Sequence, residues 1–286
     1  MRRFSLFLLL LVQATQSIDS PELRIEATVE LAPIKTRLES FDRKRLSDVV
    51  RLVGLSSPGP FIRVELATES SERARDVPPW IAGFALGATN TVVVFPARSP
   101  SYPHNTLDDV LRHEVAHVLI HRASAGRPIP RWFNEGLALA AERGWRFGDQ
   151  TKLLYQLVSG PRQSLYELDR LFQGSQTDQT RAYLLSGALV RELLYRHGET
   201  AGGKILERVG GGASFESAYM DATGQSAADA QSEFWNRQRV WTTWMPILFS
   251  QETLWMAVTV LAILAIRKRR QKNAEIKKRW EEEGDE

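Results

Sequence analysis

The sequence contains no cysteine among its 286 residues. This absence excludes a disulfide framework, a thiol nucleophile, an iron–sulfur cluster and every cysteine-based zinc site. Internal repeats and long low-complexity linkers are lacking as well. With 43% hydrophobic and 25% charged residues, the composition excludes a disordered chain, a collagen and a coiled-coil rod. Any metal bound by this globular protein would therefore be held by histidine, aspartate or glutamate.

A large excess of one charge is also lacking. Lys and Arg total 37 against 34 Asp and Glu, which gives a net charge of +3 and an isoelectric point near 9.2. Arg2 and Arg3 contribute +2, and residues 267–286, with eight basic and six acidic side chains, contribute another +2, which leaves −1 for residues 4–266. The positive charge lies at the two ends of the chain, so we expect no nucleic-acid partner.

The N-terminus carries the pattern of an export signal. Arg2 and Arg3 stand directly before an apolar run over 4–12, which is too short to span a bilayer. Small residues follow at Ala14 and Ser17. We predict a signal peptide over residues 1–17; the alternative is a buried first helix or strand of the domain.

The C-terminal region carries a second apolar run, over 245–266, with Ser250, Gln251 and Glu252 as its only strongly polar residues. Basic residues follow at once over 267–270, a pattern that keeps its side of a membrane helix in the cytoplasm. We predict a single transmembrane helix over 245–266 in contact with membrane lipid, and a cytoplasmic tail over 267–286. The domain between the two ends would be extracytoplasmic, periplasmic or at the cell surface. The alternative is a buried helix.

Residues 18–240 are predicted to form one domain of the α+β class, with an N-terminal mixed sheet before a mainly helical part. Apolar periodicity indicates strands at 23–31, 61–66 and 91–95 and an amphipathic helix at 33–53. A helix capped by Asn105 or Thr106 is expected to run to about Arg122, and a second helix from about Arg131 to Arg143.

The first of these later helices contains His113-Glu114-Val115-Ala116-His117. Residues four apart lie on one face of a helix, so His113 and His117 can share one Zn²⁺. Glu114 would lie beside the metal, where its carboxylate can take a proton from water at the open position. A catalytic zinc ion needs a third protein ligand, and Glu135 on the next helix is the candidate. His121 continues the same face, but we interpret it as a core or supporting residue.

His-Glu-x-x-His followed by Trp132-Phe133-Asn134-Glu135-Gly136-Leu137-Ala138 resembles the gluzincin zinc metallopeptidases, and most closely the peptidase-MA-like domains of exported bacterial proteins. The resemblance covers roughly residues 78–140. It implies a zincin-like fold, zinc held by the two histidines and Glu135, and Glu114 as general base. Thermolysin-like enzymes carry an Asp four residues after the ligand Glu to orient a histidine; that position is Leu139, so the supporting residue is unidentified.

The resemblance also implies a tyrosine or histidine from the helical part that stabilises the oxyanion of the transition state. Tyr183 is the candidate, and Tyr155, Tyr166 and Tyr195 remain alternatives. Substrate is expected along an edge strand within residues 80–95.

We therefore predict a membrane-anchored zinc metallopeptidase that hydrolyses peptide bonds of a peptide or protein substrate. Two alternatives remain open. One is an inactive gluzincin-fold binding or scaffold protein at the membrane, and the other is a zinc hydrolase of a non-peptide amide.

Overall fold

The computed structural model of the chain describes residues 19–100, 103–142, 153, 161–248 and 250–283. The predicted signal peptide over 1–17 lies outside them. The described residues fall into two compact units. The first runs to Leu153 and resumes over Gln163–Gln231, and it holds the sheet and every predicted site residue. The second contains the chain from Ser232 onward.

A four-stranded sheet forms the N-terminal half of the first unit, with strand order β1-β2-β4-β3. β1, β2 and β4 are parallel to one another, whereas β3 is antiparallel to β4 and forms one edge of the sheet. The mixed sheet is confirmed, as are strands within all three predicted ranges. The strands are β1 (Leu23–Ala27), β2 (Ile62–Leu66), β3 (Gly83–Leu86) and β4 (Thr91–Val94).

The rest of the described chain is mostly helical, which confirms the α+β class. The helices are α1 (Ala32–Glu39), α2 (Lys44–Leu52), α3 (Leu107–Ala123), α4 (Arg131–Glu142), α5 (Leu165–Leu171), α6 (Gln176–His197), α7 (Ala201–Gly210), α8 (Phe215–Thr223), α9 (Ala227–Leu248) and α10 (Gln251–Glu283).

The single helix predicted over 33–53 is wrong, because the chain breaks between α1 and α2. The Ser40 hydroxyl donates to the carbonyl oxygen of Arg37, and the Asp42 carboxylate accepts the backbone N–H of Lys44. These short polar side chains satisfy backbone groups locally and so compete with the continuous helix that the apolar spacing suggests.

Helix α3 lies at the centre of the first unit, between the β3–β4 edge of the sheet and α4. Its N-cap is Thr106, whose hydroxyl accepts the N–H of Asp109 at 3.1 Å. Almost every side chain from Leu107 to Ile120 is buried, including ionisable ones. The helix that carries the histidine motif is therefore a core element with no solvated face along most of its length.

Two glycines allow the close packing around this core. A Cβ on Gly83 in β3 would lie 2.9 Å from Val110 and 3.1 Å from Cγ of Glu114, so only glycine lets the strand approach α3 this closely. A Cβ on Gly136 in α4 would lie 2.5 Å from the carbonyl oxygen of Ser186 in α6. Both contacts fix backbone next to predicted site residues.

None of the helices in the described ranges is both long and apolar enough to cross a membrane. The predicted transmembrane helix over 245–266 is therefore not supported, because α9 ends at Leu248 and α10 begins at Gln251.

Candidate metal centre

Three buried or nearly buried side chains bring their donor atoms to one point between α3 and α4. Oε2 of Glu135 lies 3.4 Å from Nε2 of His113 and 3.3 Å from Nε2 of His117. Ligands bonded to zinc at 2.0–2.1 Å in a tetrahedral site are about 3.3–3.4 Å apart. These three residues form a group that could hold a metal ion, and their spacing fits a zinc-sized ion.

The position of Glu135 is fixed by the start of α4. The Asp169 carboxylate on α5 accepts the backbone N–H groups of Arg131 and Trp132 at 3.1 and 2.6 Å. It thereby satisfies donors that a helix N-terminus leaves free, and its charge suits that end of the helix dipole. Glu135 then follows Arg131 by about one turn and faces α3, as predicted.

Each histidine of the group has a polar side chain near its other ring nitrogen. Nδ1 of His117 lies 2.9 Å from Oδ1 of Asn134, whereas Nδ1 of His113 lies 3.3 Å from Oε2 of Glu142 without the geometry of a hydrogen bond. A hydrogen-bond partner such as Asn134 orients the imidazole ring of a metal-binding histidine. Glu142 also binds Nδ1 of His104 at 2.9 Å.

The electrostatics of the cluster favour positive charge. Burial alone would lower the pKa of His113, but the carboxylates of Glu135 and Glu142 outweigh it and raise this pKa to about 10. The pKa of His117 is raised for the same reason, by Glu135 against its own burial. Burial alone would raise the pKa of Glu135, but the two histidines hold it well below its usual range. A divalent cation supplies the positive charge that these carboxylates demand.

Glu114 and Tyr183 lie together on the cleft beside the three donor atoms. They line it with Gly83 of β3, with His104 and with the first turns of α6. The ring of Tyr183 lies 6.4 Å from that of His113, and burial raises the pKa of its hydroxyl well above the usual value. This tyrosine therefore remains a neutral hydrogen-bond donor at neutral pH.

The other candidates lie elsewhere. His121 packs against Gly87 and Gly126, outside the group of donor atoms. Tyr166 and Tyr195 are 73% and 87% exposed, so neither is enclosed with the cluster. Tyr155 lies outside the described residues.

Sequence reasoning missed Glu142 and assigned no role in the site to His104. Glu142 is completely buried and His104 is 8% exposed. The backbone carbonyl of Glu142 also accepts a hydrogen bond from Arg112, which fixes the end of α4 to α3. The sequence signal that could have identified Glu142 is its helical spacing. Glu142 follows Glu135 by seven residues, or two turns, so both lie on the face of α4 toward α3.

A scan of the chain against protein-family models found no match, and a search of curated proteins found none either.

We expect Glu142→Gln to destabilise the metal-free protein at pH 7 by about 3 kcal/mol, since it leaves a buried partner uncompensated. His104 and His113 overcome the effect of burial and lower the pKa of Glu142 from 4.5 to about 2. Because this pKa is lower in the folded than in the unfolded chain, the carboxylate stabilises the protein at pH values above the unfolded-state pKa. This contribution is lost as pH falls from about 4.5 toward 2.

Denaturant unfolding measured at pH 7, 4 and 3 should therefore show that the free energy of unfolding of the variant depends less on acid than that of the parent. Exposed Glu207→Gln is the control, and equal stability of Glu142→Gln and the parent at pH 7 would contradict this role.

Proposed function

We propose that this protein is a zinc metallopeptidase of the gluzincin type. The observation that carries the proposal is that Oε2 of Glu135 lies 3.4 Å from Nε2 of His113 and 3.3 Å from Nε2 of His117, and that Glu114, next to His113 in the chain, lines a cleft. Two imidazoles and one carboxylate form a frequent catalytic zinc ligand set, which leaves one position open.

His113, His117 and Glu135 would hold the zinc ion. When bound, zinc acts as a Lewis acid toward a carbonyl oxygen and lowers the pKa of water. Two side chains of the protein would carry out the proton transfer and stabilise the developing charge. The Glu114 carboxylate accepts a proton from the attacking water and passes it to the leaving amine. The Tyr183 hydroxyl donates a hydrogen bond to the oxygen on which negative charge develops.

A peptide is the substrate class that the surroundings favour. β3 is the edge strand of the sheet beside α3, so its outer backbone groups are available to pair with an extended chain. Gly83 at the start of β3 lines the same cleft as Glu114. A peptide laid along β3 would pass the general base, which supports hydrolysis of a peptide bond over a non-peptide amide.

Glu114→Gln is expected to keep one zinc ion per chain and to lose peptide hydrolysis by at least about 10²-fold, since the amide cannot accept the proton. Metal analysis and a peptide-cleavage screen with and without chelator measure the two effects. Glu207→Gln, on an exposed face of α7, is the matched control and should leave both unchanged. Full hydrolysis by Glu114→Gln would reject the mechanism, and a zinc-loaded parent without chelator-sensitive cleavage would indicate a binding protein.

For Tyr183→Phe we expect a fall in kcat of about 10²–10³-fold at unchanged zinc content, because one donor to the developing charge is removed. Tyr195→Phe, which removes an exposed hydroxyl from the same helix, should have no effect. Steady-state kinetics on the cleaved peptide separate the outcomes. A kcat within a factor of two of the parent would assign the oxyanion contact to another group.

We propose further that the chain is exported by residues 1–17 and held at a membrane by its C-terminal apolar segment, with 267–286 in the cytoplasm. The apolar side chains at the start of α10 support this attachment, because Trp255 and Leu261 are 63% and 65% exposed and would otherwise face water.

The full-length chain should stay in the membrane pellet after alkaline carbonate extraction. Leu261→Arg should move a large share of it to the supernatant, because a charge in mid-segment costs about 2.5–3.5 kcal/mol on insertion scales. Lys272→Gln, outside the apolar run, is the control. Quantitative release of the unsubstituted chain would show that the segment does not anchor it.

A further inference from the structure

One wall of the cleft is an irregular segment, residues 77–82, which we call the rim. Trp80, Ile81 and Ala82 of the rim line the cleft together with Glu114 and Tyr183. The rim precedes β3 and belongs to no helix or strand. Only its last residue is held by the strand pairing, through the N–H of Phe95, which donates to the carbonyl oxygen of Ala82 at 2.8 Å. The position of the other rim residues depends on other contacts.

The rim is poor in backbone donors, because Pro78 and Pro79 have no N–H. Within it, the N–H of Ile81 reaches the carbonyl oxygen of Pro78 at 3.0 Å. The other carbonyl oxygens of this partly exposed turn have to find partners outside it, in the protein or in water.

Arg98, four residues after the end of β4, supplies partners for these carbonyl oxygens. Its Nη1 lies 3.3, 3.0 and 3.1 Å from the carbonyl oxygens of Val77, Pro78 and Ile81. The Arg98 side chain is only 6% exposed. Three carbonyls of the rim thus converge on one guanidinium nitrogen.

The guanidinium is itself held in place. Nε and Nη2 of Arg98 each donate to a carboxylate oxygen of Glu69 at 2.8 Å, and its plane lies 4.1 Å from the centre of the Phe95 ring. The planar guanidinium binds Glu69 through Nε and Nη2, and this fixes the direction in which Nη1 faces the carbonyl oxygens. A lysine ammonium cannot make both sets of contacts in this geometry.

The rim also reaches the opposite wall. Nε1 of Trp80 donates to Oε1 of Gln179 on α6 at 3.2 Å. The indole of Trp80 is therefore held at two points: its backbone belongs to the rim that Arg98 contacts, and its N–H binds a polar side chain across the cleft. The indole and Ile81 are among the side chains that line the cleft with Glu114.

We propose that Arg98 is a positioning residue for substrate binding, which shapes the rim without touching substrate; this inference rests on the proposed peptidase function. The catalytic groups stand on α3, α4 and α6, which Arg98 does not contact through these hydrogen bonds. Loss of the Arg98 fork leaves the chemistry in place and makes one wall of the cleft mobile. Substrate then has to order that wall on binding, which weakens binding rather than turnover.

The test compares Arg98→Lys and Arg98→Ala with Arg73→Lys, which alters a more exposed Arg–Glu65 pair near the rim. All are made in the full-length, zinc-loaded chain. KM and kcat for the cleaved peptide, zinc content, and hydrogen–deuterium exchange over residues 77–86 are measured. Arg98→Lys is the decisive variant where Arg98→Ala fails to fold.

We expect Arg98→Lys to raise KM about three- to tenfold, consistent with one or two side chains ordered on binding. The kcat should stay within a factor of two, zinc content should be unchanged, and amide exchange in the rim should be faster. Arg73→Lys should match the parent in every measurement. An unchanged or lower KM, or a fall in kcat alone, overturns the assignment. Absence of chelator-sensitive cleavage in the parent instead rejects the proposed function, a result separate from the rim outcome.

Discussion

The burial of helix α3 is the constraint on which the rest of the site depends. A helix enclosed between a sheet edge and another helix leaves His113 1% and Glu114 5% exposed to water. Ionisable groups removed from water cost several kcal/mol each unless partners inside the protein compensate them. The partners must therefore come from the neighbouring elements, and their arrangement determines which ligand the site favours.

Helix α4 supplies those partners from one short stretch. Asn134 supports His117, Glu135 faces both histidines, and Glu142 lies against His113. Because one helix carries all three, its position sets their distances to both histidines at once. Asp169 at its start and Gly136 in its middle hold that position, although neither side chain is a donor to the metal group.

The fold class and the common face of the two histidines could be predicted because they depend on local periodicity. The spacing of His113 and His117 fixes their common face on any helix, and Glu135 follows from the family resemblance. His104 and Glu142 could not be paired from sequence, because 38 residues separate them and only tertiary packing brings them together. The break between α1 and α2 was missed since polar side chains at Ser40 and Asp42 outweighed apolar spacing. A continuous helix over 245–266 is not supported, because the described chain has a helix boundary between Leu248 and Gln251 that apolar composition alone does not mark.

The two walls of the site differ in structure: one consists of packed helices, and the other is an irregular segment at the edge of the sheet. The donor atoms, Glu114 and Tyr183 stand on packed helices, where burial holds them rigid. The opposing wall of the cleft belongs to the sheet edge, and Arg98 binds carbonyl oxygens of its irregular rim, which the strand pairing holds only at Ala82. Under the proposed function, the helices determine whether a bond can be hydrolysed, and the sheet edge determines which chain reaches it. Changes in the rim can then alter selectivity without changing the metal group, since Arg98 and Glu142 belong to separate hydrogen-bond networks.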